Sequence, residues 1–121
     1  MNGRAPRTAL TAAHRLVAYG TLRPGQSNHD QLAGLNGVWV PGTVRGRVTE
    51  AVWQGNEGYP GIILDPDGGA VAVEVFESAD LPNHWPRLDA FEGPGYRRTL
   101  VAVSTSEGEI EGSIYELLAR D

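Results

Sequence analysis

The chain has 121 residues, 40% hydrophobic and 21% charged, which suffices for one globular domain but not for two. Ten basic residues against fifteen acidic ones leave a net charge of -5, which argues against a nucleic-acid-binding surface. The sequence contains neither Cys nor Lys, so disulfides, thiolate metal sites, a cysteine nucleophile and lysine Schiff-base chemistry are excluded. Sixteen Gly and eight Pro favour short strands and tight turns over a helical bundle.

Residues 1–13 carry few large apolar side chains, and we expect them to form a flexible tail in front of a single domain at residues 14–121. A segment that caps an oligomer is the alternative for this tail. The tail lacks the apolar core of a secretory signal, and no later segment approaches the roughly 20 apolar residues that cross a bilayer. We therefore expect a cytoplasmic protein without a membrane or nucleic-acid partner.

The first half of the chain predicts two strands and one short helix. Arg15 to Tyr19 is a short apolar run that stops at a glycine, as a strand does. The residues from His29 to Ala33 predict a short helix, and Asn28 before them is a typical helix cap. Gly37 to Ala51 then predicts one long strand or a bent pair, with Pro41-Gly42 as a bend.

The middle of the chain predicts a hairpin after a polar, glycine-rich loop. Gly61 to Leu64 and Ala70 to Glu77 are apolar, and the second run alternates as a strand does. Asp65-Pro66-Asp67-Gly68-Gly69 between them is a strong turn signal. We therefore expect these two strands to pair with each other.

The last third of the chain predicts a helix followed by a closing hairpin. Leu81, Trp85, Leu88 and Phe91 recur every three or four residues, which indicates one amphipathic helix that ends before Gly93. Residues 97–104 and 109–117 alternate as strands do. In sum, the pattern predicts an α+β domain, a small and mostly antiparallel β-barrel with two or more short flanking helices.

The junction after the first strand is the first candidate site. A glycine directly after a strand allows consecutive backbone N–H groups to face an anion, and Gly20 occupies that position. Arg23 adds a cation that suits a carboxylate ligand. The alternative is a plain turn with Tyr19 in the core.

The end of the predicted helix is the second candidate site. Asp89 and Glu92 lie three residues apart, which places them on one flank of a helix whose apolar face holds Leu88 and Phe91. They also lie at the negative end of the helix dipole, where a carboxyl group holds its proton more tightly. This position suits a general acid or base, and the alternative is a solvated pair of acids on an exposed face.

No pattern indicates a metal or another cofactor. His14, His29 and His84 are scattered along the chain, so a metal site would need ligands that are distant in sequence. No Gly-x-Ser-x-Gly turn is present for a serine nucleophile. We therefore expect neither a metal site nor an organic cofactor.

Several segments together resemble the γ-glutamyl cyclotransferase-like superfamily, in its small single-domain branch related to γ-glutamylamine cyclotransferase and the AIG2-like proteins. The matching pieces occur in the family's order between Leu16 and Leu117, and they include Val17-Ala18-Tyr19-Gly20-Thr21-Leu22-Arg23, Tyr59-Pro60-Gly61-Ile62, Leu88-Asp89-Ala90-Phe91-Glu92-Gly93 and Tyr96-Arg97-Arg98. The resemblance implies a small β-barrel with the Tyr-Gly-Thr-Leu loop and the glutamate in one cavity.

The resemblance also implies a reaction, in which the α-amine of a γ-glutamyl group attacks its own γ-carbonyl and releases 5-oxoproline and a free amine. Glu92 matches the family's glutamate and would be the catalytic acid and base, without a metal or organic cofactor. The implied substrate-binding residues are Tyr19, Gly20, Thr21, Leu22, Arg23, Tyr96 and Arg98. The α-ammonium group, with a pKa near 8, must lose a proton before it attacks, so the pKa of Glu92 must rise well above about 4.3.

Two alternatives stay open beside this enzyme. The first is a noncatalytic small-molecule binding or regulatory domain on the same fold, and the second is hydrolysis of the amide by water with the same glutamate. The loop at 49–58 departs from the family pattern, so the sequence does not identify the leaving amine. The oligomeric state is equally open.

Overall fold

The computed structural model describes residues 10–20, 22–26, 28–50 and 60–118. Of the expected tail, residues 10–13 are described, and Ala12 is buried at the start of a 3-10 turn, Ala12–His14. The Ser113 hydroxyl donates to the Ala12 carbonyl over 2.8 Å. Residues 1–9 of the tail and the predicted loop at 51–59 lie outside the described residues.

The described residues form six strands, one α-helix and three 3-10 turns. The strands are β1 (Arg15–Ala18), β2 (Val38–Glu50), β3 (Pro60–Leu64), β4 (Gly69–Glu77), β5 (Tyr96–Thr105) and β6 (Gly108–Leu117). The helix α1 spans Trp85–Glu92, and the 3-10 turns span Ala12–His14, His29–Leu32 and Leu81–Asn83. This is the predicted α+β content.

Five of the strands close a barrel in the order β1-β4-β2-β3-β6, because β6 pairs with β1 as well as with β3. The β1–β6 and β3–β6 pairings are parallel, whereas β1–β4, β2–β3 and β2–β4 are antiparallel. Strand β5 pairs with β6 along its whole length, as the predicted closing hairpin requires. The prediction of a small, mostly antiparallel barrel with short helices is thus confirmed.

The alternation of side chains along the strands divides the core into two clusters. Val17 on β1 faces the barrel interior, whereas Leu16 and Ala18 face the helical layer. The interior cluster is Val17, Val44, Ile62, Val73, Val75, Val103 and Ile114. The cluster under the helical layer is Leu16, Ala18, Leu22, Leu32, Phe76, Leu81, Trp85, Leu88 and Tyr115.

The predicted hairpin between β3 and β4 is wrong. The turn itself forms, since the Gly68 amide donates to the Asp65 carbonyl over 2.9 Å and the Asp67 amide to the Asp65 carboxylate over 2.9 Å. Both strands instead pair with β2, with Leu64 and Gly69 both opposite Gly46. The 13-residue β2 pairs with β4 from Val38 to Gly46 and with β3 from Gly46 to Glu50.

The predicted helix from Leu81 to Phe91 is also shorter than expected. It divides into a 3-10 turn and α1, and each begins with a proline at its first or second position, where the missing N–H costs nothing. Phe91 is 38% exposed and does not belong to the apolar face. The predicted helix after Asn28 is a single 3-10 turn, and the Asn28 side chain makes no capping hydrogen bond.

Candidate active site

Glu92 is the last residue of α1, and the chain turns sharply after it. The Gly93 amide closes the helix with a 3.1 Å hydrogen bond to the Asp89 carbonyl. Gly93 has φ 84° and ψ -178°, a conformation that is essentially restricted to glycine. The glycine therefore ends the helix at Glu92 and returns the chain to β5.

The Glu92 carboxyl group is partly buried and makes no hydrogen bond or ion pair with the described residues. Burial alone raises its pKa to about 7, because the charged form loses solvation without gaining a partner. This pKa is what a general base or acid needs near neutral pH.

The turn after β1 is held by a series of backbone hydrogen bonds. The amides of Arg23, Gln26 and His29 donate to the carbonyls of Gly20, Arg23 and Gln26 over 3.0–3.2 Å. The His29 ring makes a further 3.1 Å hydrogen bond to the Leu22 carbonyl. The amides of Gly20 and Leu22 donate to no acceptor among the described residues. Amides of this kind can bind an anionic or carbonyl ligand.

This turn and Glu92 line one cavity of about 40 Å³. The lining residues are Leu16, Val17, Ala18, Tyr19, Gly20, Leu22, Glu92 and Tyr115. The space suits a small polar group such as a carboxylate or an ammonium group, and a longer ligand must extend out of it. Thr21, predicted to bind substrate, lies outside the described residues.

Two tyrosines form the walls of the cavity. The Tyr19 hydroxyl donates to the Tyr115 carbonyl over 2.6 Å, which joins the end of β1 to β6. Burial raises the pKa of Tyr19 and the pKa of Tyr115, and the charge on Glu92 adds to both shifts. Both tyrosines therefore stay protonated at neutral pH beside the carboxyl group.

Asp89 has the opposite surroundings to Glu92. Arg98 donates to it twice, from Nε over 2.9 Å and from Nη2 over 3.2 Å, and the Tyr115 hydroxyl donates to it over 2.6 Å. These bonds, from Arg98 above all, hold the pKa of Asp89 below its usual value. The two acids that the sequence placed on one flank thus differ, one paired and ionised, the other unpaired and titrating near neutrality.

Three of the predicted substrate-binding residues do not line the cavity. Arg23 bonds through Nε to the Gly20 carbonyl over 3.0 Å, and Arg98 is engaged with Asp89 and lies 4.6 Å from the centre of the Trp85 ring. Tyr96 is partly buried against the cluster under the helical layer, where burial and the charge on Glu92 raise its pKa. Their role in binding stays a prediction.

Sequence reasoning missed Tyr115 as a wall of the site. Its position in the closing hairpin was predicted, but only the pairing of β6 with β1 brings it to the turn after β1. Trp85, placed by the sequence on the apolar face of the predicted helix, is buried and donates through its ring nitrogen to the Ala13 carbonyl over 2.8 Å.

Within the part of the chain that the structure describes, no three His, Asp or Glu side chains are grouped as metal ligands require. No helix among those residues has the length and apolar character to span a bilayer.

The solved structures similar to this chain share its barrel. YkqA from Bacillus subtilis is 28% identical with a TM-score of 0.65, over 86% of this chain and 35% of YkqA. The uncharacterized protein PH0828 from Pyrococcus horikoshii is 29% identical with a TM-score of 0.55, over 88% of this chain and 79% of its own. An AIG2-like protein from Mus musculus, at 22% identity, shows the same fold with a TM-score of 0.66 over 89% of this chain and 79% of that one. This chain therefore spans about a third of YkqA but most of the other two.

None of the curated proteins compared with the chain matches it. The family model described as gamma-glutamyl cyclotransferase, AIG2-like, matches residues 16–121, which include both the turn after β1 and Glu92. With the barrel and the shared cavity, this match shows that the chain belongs to the gamma-glutamyl cyclotransferase, AIG2-like family.

Proposed function

We propose that this protein is a γ-glutamyl cyclotransferase that converts a γ-glutamyl amine or peptide into 5-oxoproline and a free amine. The observation that carries the proposal is the Glu92 carboxyl group, with a pKa of about 7, in one cavity with the turn after β1. A small-molecule γ-glutamyl substrate and a cytoplasmic location are part of the same proposal.

The first step is removal of a proton from the substrate. Ionised Glu92 takes a proton from the α-ammonium group, and the neutral amine then attacks the γ-carbonyl carbon of the same molecule. A carbon–nitrogen bond forms in the new five-membered lactam, and the original amide bond breaks. Glu92 returns the proton to the departing nitrogen, and the attacking nitrogen passes its second proton to the released amine, which leaves as an ammonium ion. One carboxyl group thus serves both transfers and ends the cycle ionised.

The turn after β1 would hold the substrate during these steps. The available amides of Gly20 and Leu22 suit a carboxylate or the γ-carbonyl oxygen, on which negative charge develops during attack. The two reacting groups belong to one molecule, so a fixed orientation supplies several kcal/mol of the barrier. A binding role for Thr21 is part of the same proposal. Binding roles for Arg23, Tyr96 and Arg98 belong to the same proposal.

The experiment is a product analysis with a matched pair of variants. A panel of γ-glutamyl amines and γ-glutamyl amino acids is incubated with the protein, and 5-oxoproline, glutamate and free amine are quantified by mass spectrometry. Glu92→Gln should reduce turnover by about 10²–10⁴-fold, the usual worth of a general base. Glu116→Gln makes the same chemical change in a carboxyl group paired with Arg97 and should keep turnover.

Each outcome decides between the proposal and its alternatives. Formation of 5-oxoproline that depends on Glu92 supports the cyclotransferase. Glutamate in place of 5-oxoproline would show hydrolysis, and binding of the panel without any product would show a noncatalytic domain. Full activity of Glu92→Gln would remove Glu92 from the mechanism.

A further inference from the structure

Asp89 and Glu92 lie at the same end of α1 but differ in their hydrogen-bond partners. They lie three residues apart on α1, so their side chains are neighbours on one flank of the helix. The Asp89 carboxylate accepts two hydrogen bonds from the Arg98 guanidinium and one from the Tyr115 hydroxyl. Glu92, although it lines the cavity with Tyr115, has no donor among the described residues.

Arg98 is fixed in this position by a second contact. Its guanidinium carbon lies 4.6 Å from the centre of the Trp85 ring, a cation–π distance. Trp85 is buried and is itself anchored to the Ala13 carbonyl. The Arg98 guanidinium is thus held beside Asp89 by the ion pair and by the Trp85 ring.

Among the described residues, the other groups that act electrostatically on Glu92's surroundings supply no positive charge. They are Tyr19 from the end of β1, Tyr96 from the start of β5 and Tyr115 from β6, and the charge on Glu92 raises the pKa of each. Glu116 on β6 acts on Tyr19 as well and is itself paired with Arg97. The Tyr19 hydroxyl proton is committed to the Tyr115 carbonyl.

We propose that Asp89 is a positioning residue that holds the Arg98 guanidinium and the Tyr115 hydroxyl away from Glu92, so that the Glu92 carboxyl can accept the substrate's proton. The physical reason is general, since an opposite charge within about 4–6 Å, or a donor to the charged form, makes a carboxylate a weaker base. The catalytic meaning of this inference rests on the proposed function, but its test does not.

The test measures the titration of Glu92 in the free protein by carbon-13 NMR of the side-chain carboxyl groups. The Glu92 signal is assigned by its absence in Glu92→Gln. Asp89→Asn should move the titration midpoint of Glu92 down by about one pH unit or more, because Arg98 is released beside it. Removing the guanidinium in the double variant Asp89→Asn/Arg98→Gln should restore at least half of that shift.

The control is Glu116→Gln, which releases Arg97 from a pair of the same kind, with Nε and Nη2 at 3.2 and 2.6 Å from the carboxylate. Arg97 lies one residue before Arg98 on β5, so its side chain leaves the opposite face of the strand. This variant should leave the midpoint of Glu92 within about 0.3 units.

Two results would overturn the inference. An unchanged midpoint in Asp89→Asn would show that Asp89 does not govern Glu92. A shift that persists in full when Arg98 is also removed would show that the released guanidinium does not act on Glu92, which contradicts the role given to Arg98. Because the titration needs no substrate, failure of the proposed function would appear separately, as absence of 5-oxoproline from the wild-type protein.

Discussion

The Tyr19 hydroxyl donates a 2.6 Å hydrogen bond to the backbone carbonyl of Tyr115, and this bond joins two walls of the cavity. Tyr19 directly follows β1, whereas Tyr115 lies near the end of β6, which pairs with β1 in parallel. The turn that we propose holds the substrate begins at Tyr19, so the bond fixes where this turn starts relative to Glu92.

Tyr19→Phe should therefore loosen the cavity without unfolding the barrel. The change removes the hydroxyl and leaves a part-buried carbonyl without that donor, which should lower the free energy of unfolding by about 1–2 kcal/mol. Urea denaturation followed by tryptophan fluorescence measures this loss. A midpoint equal to that of the wild type would contradict the structural role of the bond.

The pH dependence of turnover should show the raised pKa of Glu92. Since the base must be ionised in the free enzyme, kcat/KM should fall about tenfold per pH unit below a pKa of about 7. Circular dichroism at each pH separates this effect from unfolding. Activity that stays level down to pH 5 would mean that Glu92 titrates like an ordinary glutamate, near about 4.3.

Glu92 should also make the folded protein less stable as the pH rises. Its pKa is about 7 in the folded state, above the value of the unfolded chain, so its stabilising contribution is complete below about pH 4.3 and is lost as the pH rises through 7. Glu92→Gln removes the titration. Above pH 7 this variant should have a higher free energy of unfolding than the wild type, by on the order of 2 kcal/mol. This is less than the full pKa difference would give, because solvent screens a carboxyl group that is partly exposed.

Denaturant unfolding of both proteins at pH 4, 6 and 8 measures this difference. The advantage of the glutamine should grow with pH between the first and the last measurement. A constant difference would show that burial does not shift the pKa of Glu92.

The end of α1 should tolerate no side chain at Gly93. A Cβ at this position meets no atom within 4 Å, so the penalty for Gly93→Ala comes from the backbone conformation alone, with φ at 84°. We expect a loss of about 1–3 kcal/mol and a displaced Glu92, hence lower kcat. Gly69→Ala is the matched control, because its Cβ also meets no atom within 4 Å and it has no such φ. Equal effects of the two changes would contradict this account.

The sequence predicted the strands better than the way in which they pair. The turn at 65–69 forms from its Asp, Pro and Gly residues as expected, because its hydrogen bonds are local. Whether β3 and β4 pair with each other depends on β2, a strand outside the turn that pairs with both of them. No local signal distinguishes that arrangement from a hairpin.

The candidate site shows the same division. The spacing of Asp89 and Glu92 placed both acids on one flank of α1, and the glycine after them ended the helix as predicted. Which of the two acids is paired depends on Arg98 from β5 and Tyr115 from β6, which both donate to Asp89. The exposure of Phe91 likewise follows from packing, since periodicity indicated only which residues share a helix face.

The parallel pairing of β1 with β6 has a consequence for biosynthesis. Leu16 lies opposite Ser113 and Val17 opposite Ile114, so the barrel closes only when strands from the two ends of the domain meet. A ribosome-bound chain that has not yet exposed Tyr115 therefore lacks a wall of the cavity, whatever its earlier strands have formed. Ligand capture should begin abruptly, after the last strand emerges from the exit tunnel.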